Sequence, residues 1–135
     1  MAVQLSTTVR NARLDAIETA IGTSAVLKIR TGAAPANCAT ADSGTVLATL
    51  SLPSDWMAAA SSGSKAKSGT WEDLTADNTG TAAHWRLYAS DGTTCHAQGT
   101  VTATGNGGDM TLDNTSISAG QAVTVTGFTL TDGNA

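Results

Sequence analysis

The stretch AAHWRLYASDGTTCHAQGTVTA, residues 82–103, decides the fold class. Its first part alternates: Trp85 and Leu87 fall on one face of a predicted strand, while His84, Arg86 and Tyr88 fall on the other. The turn at residues 90–93 contains Asp-Gly, which supplies the positive φ that tight hairpin turns need. Residues 94–103 are predicted as the second strand of this hairpin. A β-hairpin therefore forms the centre of the predicted domain.

The same period of two recurs on both sides of this hairpin. In residues 26–30, Leu27 and Ile29 face inward, and in residues 45–52, Val46, Ala48 and Leu50 share a face until Pro53. About seven or eight short strands at regular spacing are typical of an antiparallel β-sandwich or jelly roll. The further predicted strands are residues 56–60, 65–71, 110–113 and 121–130, with a polar loop at 72–80.

The N-terminal part has a different period. Residues 1–8 are predicted as an extended arm and residues 9–22 as a helix, because Leu14, Ile17 and Ile21 recur at helical spacing. Gly22 is a suitable residue to end it. The first turn of the helix has no acid and the last has no base, so the helix must rely on packing. Leu14, Ile17 and Ile21 are therefore expected to be buried, either against the sandwich or against another chain. Residues 23–135 then form the sandwich of a single-domain protein.

Composition limits the function. The chain has 135 residues, and only 13% are charged, against about a quarter in typical domains. The net charge is −4 without a basic run, which argues against autonomous nucleic-acid binding. No apolar run approaches the ~20 residues of a membrane span, and residues 1–8 lack the features of a signal peptide. A surface with few charges suits contact with copies of the same chain or with a partner.

No catalytic, cofactor or metal site is predicted. Cys95 and His96 are adjacent, so on a strand they point to opposite faces and cannot form a nucleophile–base pair. The cysteines and histidines lack zinc-ligand spacing. Most aspartates fall in turns, where they usually bond the backbone. The tryptophans could line a sugar-binding face, but core packing is the favoured interpretation; they are Trp56, Trp71 and Trp85.

The two cysteines leave two alternatives open. A Cys38–Cys95 disulfide would close a long loop and contribute up to about 4 kcal/mol in the chain-entropy model. The alternative is a pair of reduced thiols, as expected while the protein is in the cytoplasm.

Four segments resemble a family of small proteins encoded by tailed bacteriophages and prophages. They are STTVRNARLD (6–15), LPSDWM (52–57), MTLDNTSI (110–117) and VTVT (123–126). The resemblance implies a virion structural protein without enzymatic activity. The preferred assignment is a capsid decoration or cement protein that stabilises the head. A tail- or fibre-associated protein is the alternative, and a carbohydrate-binding adhesin module is a third possibility.

The expected partners are the major capsid protein or other virion proteins, together with further copies of the chain in a dimer or trimer. The expected location is the virion, after assembly in the cytoplasm of the bacterial host. The arm and the helix are the predicted partner-binding surface, through Val3, Leu5, Val9, Arg10, Leu14, Ile17 and Ile21.

Overall fold

A computed structural model describes residues 3–133. One N-terminal helix precedes a series of short strands, so the predicted class, mainly β with one helix, is confirmed. The helix is α1 (Thr7–Ile21). The strands are β1 (Val26–Arg30), β2 (Val46–Ser51), β3 (Ser64–Ala66), β4 (Glu72–Asp73), β5 (Gly80–Thr81), β6 (His84–Tyr88), β7 (Cys95–Ala103), β8 (Met110–Leu112), β9 (Ser116–Ile117) and β10 (Val123–Thr131).

The predicted hairpin is the centre of the sheet. Strands β6 and β7 pair antiparallel, and Trp85 lies opposite Gly99. Asp91 Oδ1 accepts the backbone N–H groups of Thr93 and Thr94 at 2.9 and 2.8 Å, while Gly92 has a φ of +68°. The Asp-Gly turn therefore forms as the sequence predicts.

The main sheet has eight strands in the order β2-β1-β6-β7-β8-β10-β3, and β4 also pairs with β10. Among the described strands, β5 and β9 form a separate two-stranded sheet. The pair β7–β8 is parallel, so the sheet is mixed, and the purely antiparallel sandwich is not confirmed. The physical reason lies between β7 and β8. Positive φ at Gly105 and Gly107 lets the chain loop out after β7 and return beside it, so that β8 starts next to Val101 and runs in the same direction as β7.

The sheet curls into a half-barrel, and its two ends approach each other. The exposed edge of β2 is met by side chains from the segment that contains β4. Thr49 N donates to Asp73 Oδ2 at 2.9 Å, and Asn78 Nδ2 donates to Val46 O at 2.8 Å. These bonds satisfy a strand edge that would otherwise be open to pairing with another chain.

Aromatic rings fill the inside of the curl. The ring centroids of Trp56 and Trp71 lie 6.0 Å apart, and those of Trp71 and Phe128 lie 5.5 Å apart. Trp85 meets Phe128 edge-on at 5.2 Å, so β6 and β10 face each other across the core. All three tryptophans are buried, which confirms their predicted core packing. Leu27, Ile29, Ala48 and Leu50 are also buried, as their alternation predicts.

Several predicted bounds differ from the structure. The strand predicted at residues 65–71 is β3 (Ser64–Ala66), and the predicted loop at 72–80 contains β4 and the first residue of β5. The helix begins at Thr7 instead of Val9, because Ser6 is its N-cap and accepts the Val9 N–H at 3.2 Å. The predicted arm, residues 1–8, is therefore shorter, and residues 1–2 lie outside the described part. Residues 56–60 form only part of the predicted strand. Met57 makes a single antiparallel bridge with Lys67, next to β3, while the N–H groups of Met57 and Ala60 bond to carboxylates of the helix.

Candidate partner-binding surface

Helix α1 is anchored along one side. Leu14 and Ile21 are buried, and Gly22 N donates to Glu18 O at 2.9 Å where the helix ends. Trp56 Nε1 donates to Gly22 O at 3.0 Å, so the end of the helix is tied to the aromatic core. A fixed inner side means that the opposite side of α1 is presented in a defined orientation.

The acidic residues of α1 are used inside the chain. Lys65 on β3 is only 2% exposed, and its Nζ lies 2.7 Å from Asp15 Oδ1 and 2.8 Å from Glu18 Oε2. Burial opposes the charge of Lys65, but the hydrogen bonds with both carboxylates raise its pKa. The hydrogen bond from Lys65 lowers the pKa of Asp15. The helix therefore covers β3 through ion pairs.

The basic residues of α1 are also used inside the chain. Arg10 Nη1 donates to Asp132 O at 2.9 Å, and Arg13 Nε lies 3.2 Å from Asp132 Oδ2. The side-chain amide of Asn11 accepts the Gly63 N–H at 2.9 Å. As a result, every charged residue between positions 7 and 21 has a partner in its own chain.

Within residues 7–21, the outer side of α1 is therefore free of unpaired charge. It combines apolar residues with exposed threonines and with Arg13, whose side chain is 59% exposed but paired with Asp132. Val9 is 44% exposed and Ile17 is 37% exposed. Beside Ile17, a groove of about 420 Å³ separates the helix from the end of β10. Arg13, Leu14, Ala16, Ile17, Thr131 and Asp132 line this groove.

The strand that borders the groove has an open edge. Lys67 N donates to Phe128 O, and Asp132 N donates to Gly63 O, so the alternating backbone groups of β10 at these positions point to β3. Thr129 and Thr131 consequently direct their N–H and C=O groups to the other side. Within residues 3–133, β3 is the only strand that pairs with β10 at these two threonines, so no strand covers the opposite edge there. A second cavity, of about 350 Å³, lies next to Thr129.

The structure divides the predicted partner-binding residues into three groups. Leu14 and Ile21 are buried within the chain, and Arg10 is turned to Asp132. Ile17 lies on the outer side, so its predicted burial together with Leu14 and Ile21 is not seen in this single chain. The residues that present apolar surface are Val3, Val9 and Ile17, with Leu5 half-buried.

A second cluster lies on the outer face of β1 and β6, and sequence reasoning missed it. Residues 32–44 cover this face. Arg86 is 1% exposed, and its Nη2 donates to Asn37 O, Cys38 O and Thr40 O at 3.2, 3.0 and 3.1 Å. The buried guanidinium thus supplies hydrogen bonds to carbonyl groups that have no partner in a helix or strand. The period of two placed Arg86 on the outer face, but no local pattern indicates what covers it.

Asp42 is the anion of this cluster. Its Oδ2 lies 2.9 Å from Arg30 Nη2, its Oδ1 contacts Arg86 Nη1, and Tyr88 donates to it at 2.8 Å. Burial alone would raise the pKa of Asp42, but the hydrogen bonds from Tyr88 and Arg86 lower it. Burial raises the pKa of Tyr88 to about 12, and its bond to Asp42 adds to this shift.

The two cysteines meet beside this cluster. Cys38 lies in the covering loop and Cys95 begins β7. Both thiols are free and half-buried, and the Cys38 thiol contributes to the raised pKa of Cys95. The predicted disulfide pairs the two residues that the fold brings together, and it stays a prediction. His96, in contrast, is exposed on β7.

Within residues 3–133, no group of three or more His, Cys, Asp or Glu side chains could hold a metal ion. No helix in the same range is long and apolar enough to cross a membrane. Because the tryptophans are buried, they do not form an exposed sugar-stacking row.

Comparison with known proteins adds no relative: no protein-family model, curated protein or solved structure matches the chain.

Proposed function

We propose that this chain is a structural protein of a tailed-bacteriophage virion, in first place a decoration or cement protein of the capsid. The proposal rests on the resemblance of residues 6–15, 52–57, 110–117 and 123–126 to that family. The single structural observation in its favour is the outer side of α1, where the apolar residues Val9 and Ile17 are exposed and where the one exposed charge, Arg13, is paired with Asp132. Such a surface can be buried against a neighbour without desolvating a free charge.

The proposed attachment uses the outer side of α1 together with the adjoining arm. Val9 and Ile17 would bury apolar surface, at roughly 25 cal/mol per Å². The groove beside Ile17 offers a place for a partner side chain, and the backbone groups of Thr129 and Thr131 offer hydrogen bonds. Many symmetric copies would then multiply a modest contact. We further propose that the half-barrel is related to sandwich and jelly-roll folds, since β6 and β10 face each other across one core.

The partners in this proposal are the major capsid protein or another virion protein, with a dimer or trimer of the chain as the attached unit. Assembly would take place in the host cytoplasm and the mature location would be the virion.

The test compares virions assembled with substituted proteins. A V9D/I17D double variant places two charges on the outer side of α1, and the expected result is at least a tenfold drop in copies per virion. Leu74→Asp is the matched control, because Leu74 is also an exposed apolar residue, at 67%, but lies away from the helix. Thermal unfolding of each purified variant must stay near wild type. Wild-type occupancy of V9D/I17D would rule out α1 as the attachment surface.

Copy number and particle stability separate the head from the tail. A cement protein should be present in hundreds of copies, and virions that lack it should form but release DNA at lower temperature or after osmotic shock. A few tens of copies or fewer, on particles that are robust but fail to adsorb or to eject DNA, would support the tail alternative. Binding of the purified chain to glycans would instead support the adhesin.

A further inference from the structure

The loop that covers the outer face of the sheet is held at one point by a buried cation. Residues 32–44 contain none of the strands, and three of their carbonyl groups bond to Arg86. One of these carbonyls belongs to Cys38, at 3.0 Å from Arg86 Nη2. The backbone of Cys38 is therefore placed directly over β6 at the position of Arg86.

The second cysteine reaches the same place from the neighbouring strand. Cys95 lies opposite Tyr88 in the β6–β7 register, and Tyr88 bonds to Asp42, which also contacts Arg86. Cys95 Sγ donates to Ala97 O at 3.4 Å, and the Cys38 thiol contributes to the raised pKa of Cys95. Both cysteines are only half-buried, so a small reagent can reach them.

We propose that Cys38 and Cys95 are an oxidation site, a dithiol that a small-molecule disulfide converts into an intramolecular bond. The Cys38 thiolate attacks one sulfur of the reagent, which forms a mixed disulfide and releases one thiol. The Cys95 thiolate then attacks the Cys38 sulfur and releases the second thiol. Two protein thiols are oxidised, the reagent disulfide is reduced to two thiols, and the two protein protons end on them or on solvent.

The bond would act as a latch on the covering loop. In the reduced chain, this loop is held to the sheet by hydrogen bonds and ion pairs only. The disulfide would join it covalently to β7 and restrict the unfolded chain over a long loop, which should raise the melting temperature on the order of 10 °C. This inference does not depend on the virion assignment, because it concerns the isolated chain.

The second step should be slow at neutral pH and should accelerate in alkali. Burial is the largest cause that raises the pKa of Cys95, and it persists in the mixed disulfide, where the contribution of the Cys38 thiol is lost. Only the thiolate attacks a disulfide, and below the pKa its fraction grows about tenfold per pH unit. Ring closure from the mixed disulfide should therefore accelerate about tenfold per pH unit between roughly pH 7 and 9.

The experiment treats the purified full chain with oxidised glutathione and follows its mass. The expected product is a monomer that has lost two hydrogen atoms, with a Cys38–Cys95 peptide on a non-reducing map, a raised melting temperature and slower cleavage of residues 32–44 by proteinase K. The C38S and C95S variants are matched controls and should stop at the mixed disulfide with the melting temperature of the reduced protein.

Three results would overturn the proposal. The wild-type chain could stop with glutathione on both cysteines, or it could form only disulfides between chains. It could also form the internal bond without a rise in melting temperature or in protection of the loop, and the bond would then not be a latch.

Discussion

Replacing Asp42 with Asn tests the buried cluster on the outer face of the sheet. Asp42 is the carboxylate shared by Arg30 and Arg86, which are 6% and 1% exposed. The amide has nearly the same shape but no charge, so two buried guanidinium groups would lose their counter-ion. Removing one partner of a buried pair costs about 3–5 kcal/mol. The Asp42 side chain is 36% exposed, so solvent screens part of the interaction and we expect about 3 kcal/mol, at the lower end.

That free energy converts into a measurable shift. Unfolding entropy of about 2.1 cal/mol/K per residue gives roughly 0.28 kcal/mol/K for a chain of this size, so D42N should lower the melting temperature by about 10 °C. The assay is thermal unfolding by circular dichroism at pH 7. Asp55→Asn is the matched control, because Asp55 is exposed in a turn, and it should change the free energy of unfolding by less than about 0.5 kcal/mol.

The pH dependence gives an independent check on the same residue. Since the pKa of Asp42 is lowered in the folded chain, its stabilising contribution is present above the unfolded pKa of about 3.9 and is lost as pH falls through the lower folded value. The wild type should therefore lose stability below about pH 4 more steeply than D42N. If D42N melts within about 2 °C of the wild type at pH 7, the reasoning about the cluster is refuted.

Further predictions concern other parts of the fold. Because the pKa of Tyr88 is raised to about 12, its stabilising contribution is complete below the unfolded pKa of about 10 and is lost as pH rises through about 12; Tyr88→Phe should flatten this alkaline loss in urea titrations. Lys65→Met should cost about 2 kcal/mol by calorimetry, below the range for fully buried pairs because one partner of Lys65 is half exposed; an unchanged melting temperature would contradict this. Gly99→Ala should cost about 1–3 kcal/mol, because a Cβ there would lie 2.8 Å from the Trp85 ring; Gly133→Ala, with open space around it, is the control and should be neutral.

The parts of the fold that the sequence predicts are those fixed by neighbouring residues. The hairpin of β6 and β7 depends on alternation and on the Asp-Gly turn, which act over a few positions. The helix depends on Leu14 and Ile21, which share one side. In contrast, residues 56–60 have local strand character but make only one bridge, from Met57 to Lys67, because Asp15 and Glu18 accept the N–H groups of Ala60 and Met57. No window of sequence around residue 58 contains that information.

In the candidate sites, too, the features fixed by neighbouring residues could be predicted, and those fixed by distant residues could not. Helical spacing placed Leu14, Ile17 and Ile21 near one another, but only the packed chain shows that Ile17 is turned outward. The cluster around Arg86 was not predicted, because its partners come from the loop more than forty positions earlier in the chain. A signal was present: an arginine on a central strand, between buried neighbours, needs acceptors, and a strand-free segment rich in carbonyl groups can supply them.

The positions of the ion pairs show how the low charge content of the chain affects the surface of α1. The charges of α1 are all paired inside the chain, and on the outer side that carries Val9 and Ile17 the one exposed charge is Arg13, which is paired with Asp132. In the proposed attachment, recognition would depend mainly on shape and on backbone hydrogen bonds at Thr129 and Thr131. For such a surface, an added charge is more disruptive than a lost methyl group, because a charge without a partner resists desolvation. Ile17→Asp should therefore weaken attachment far more than Ile17→Ala does, and equal effects of the two substitutions would show that this side of the helix stays in water.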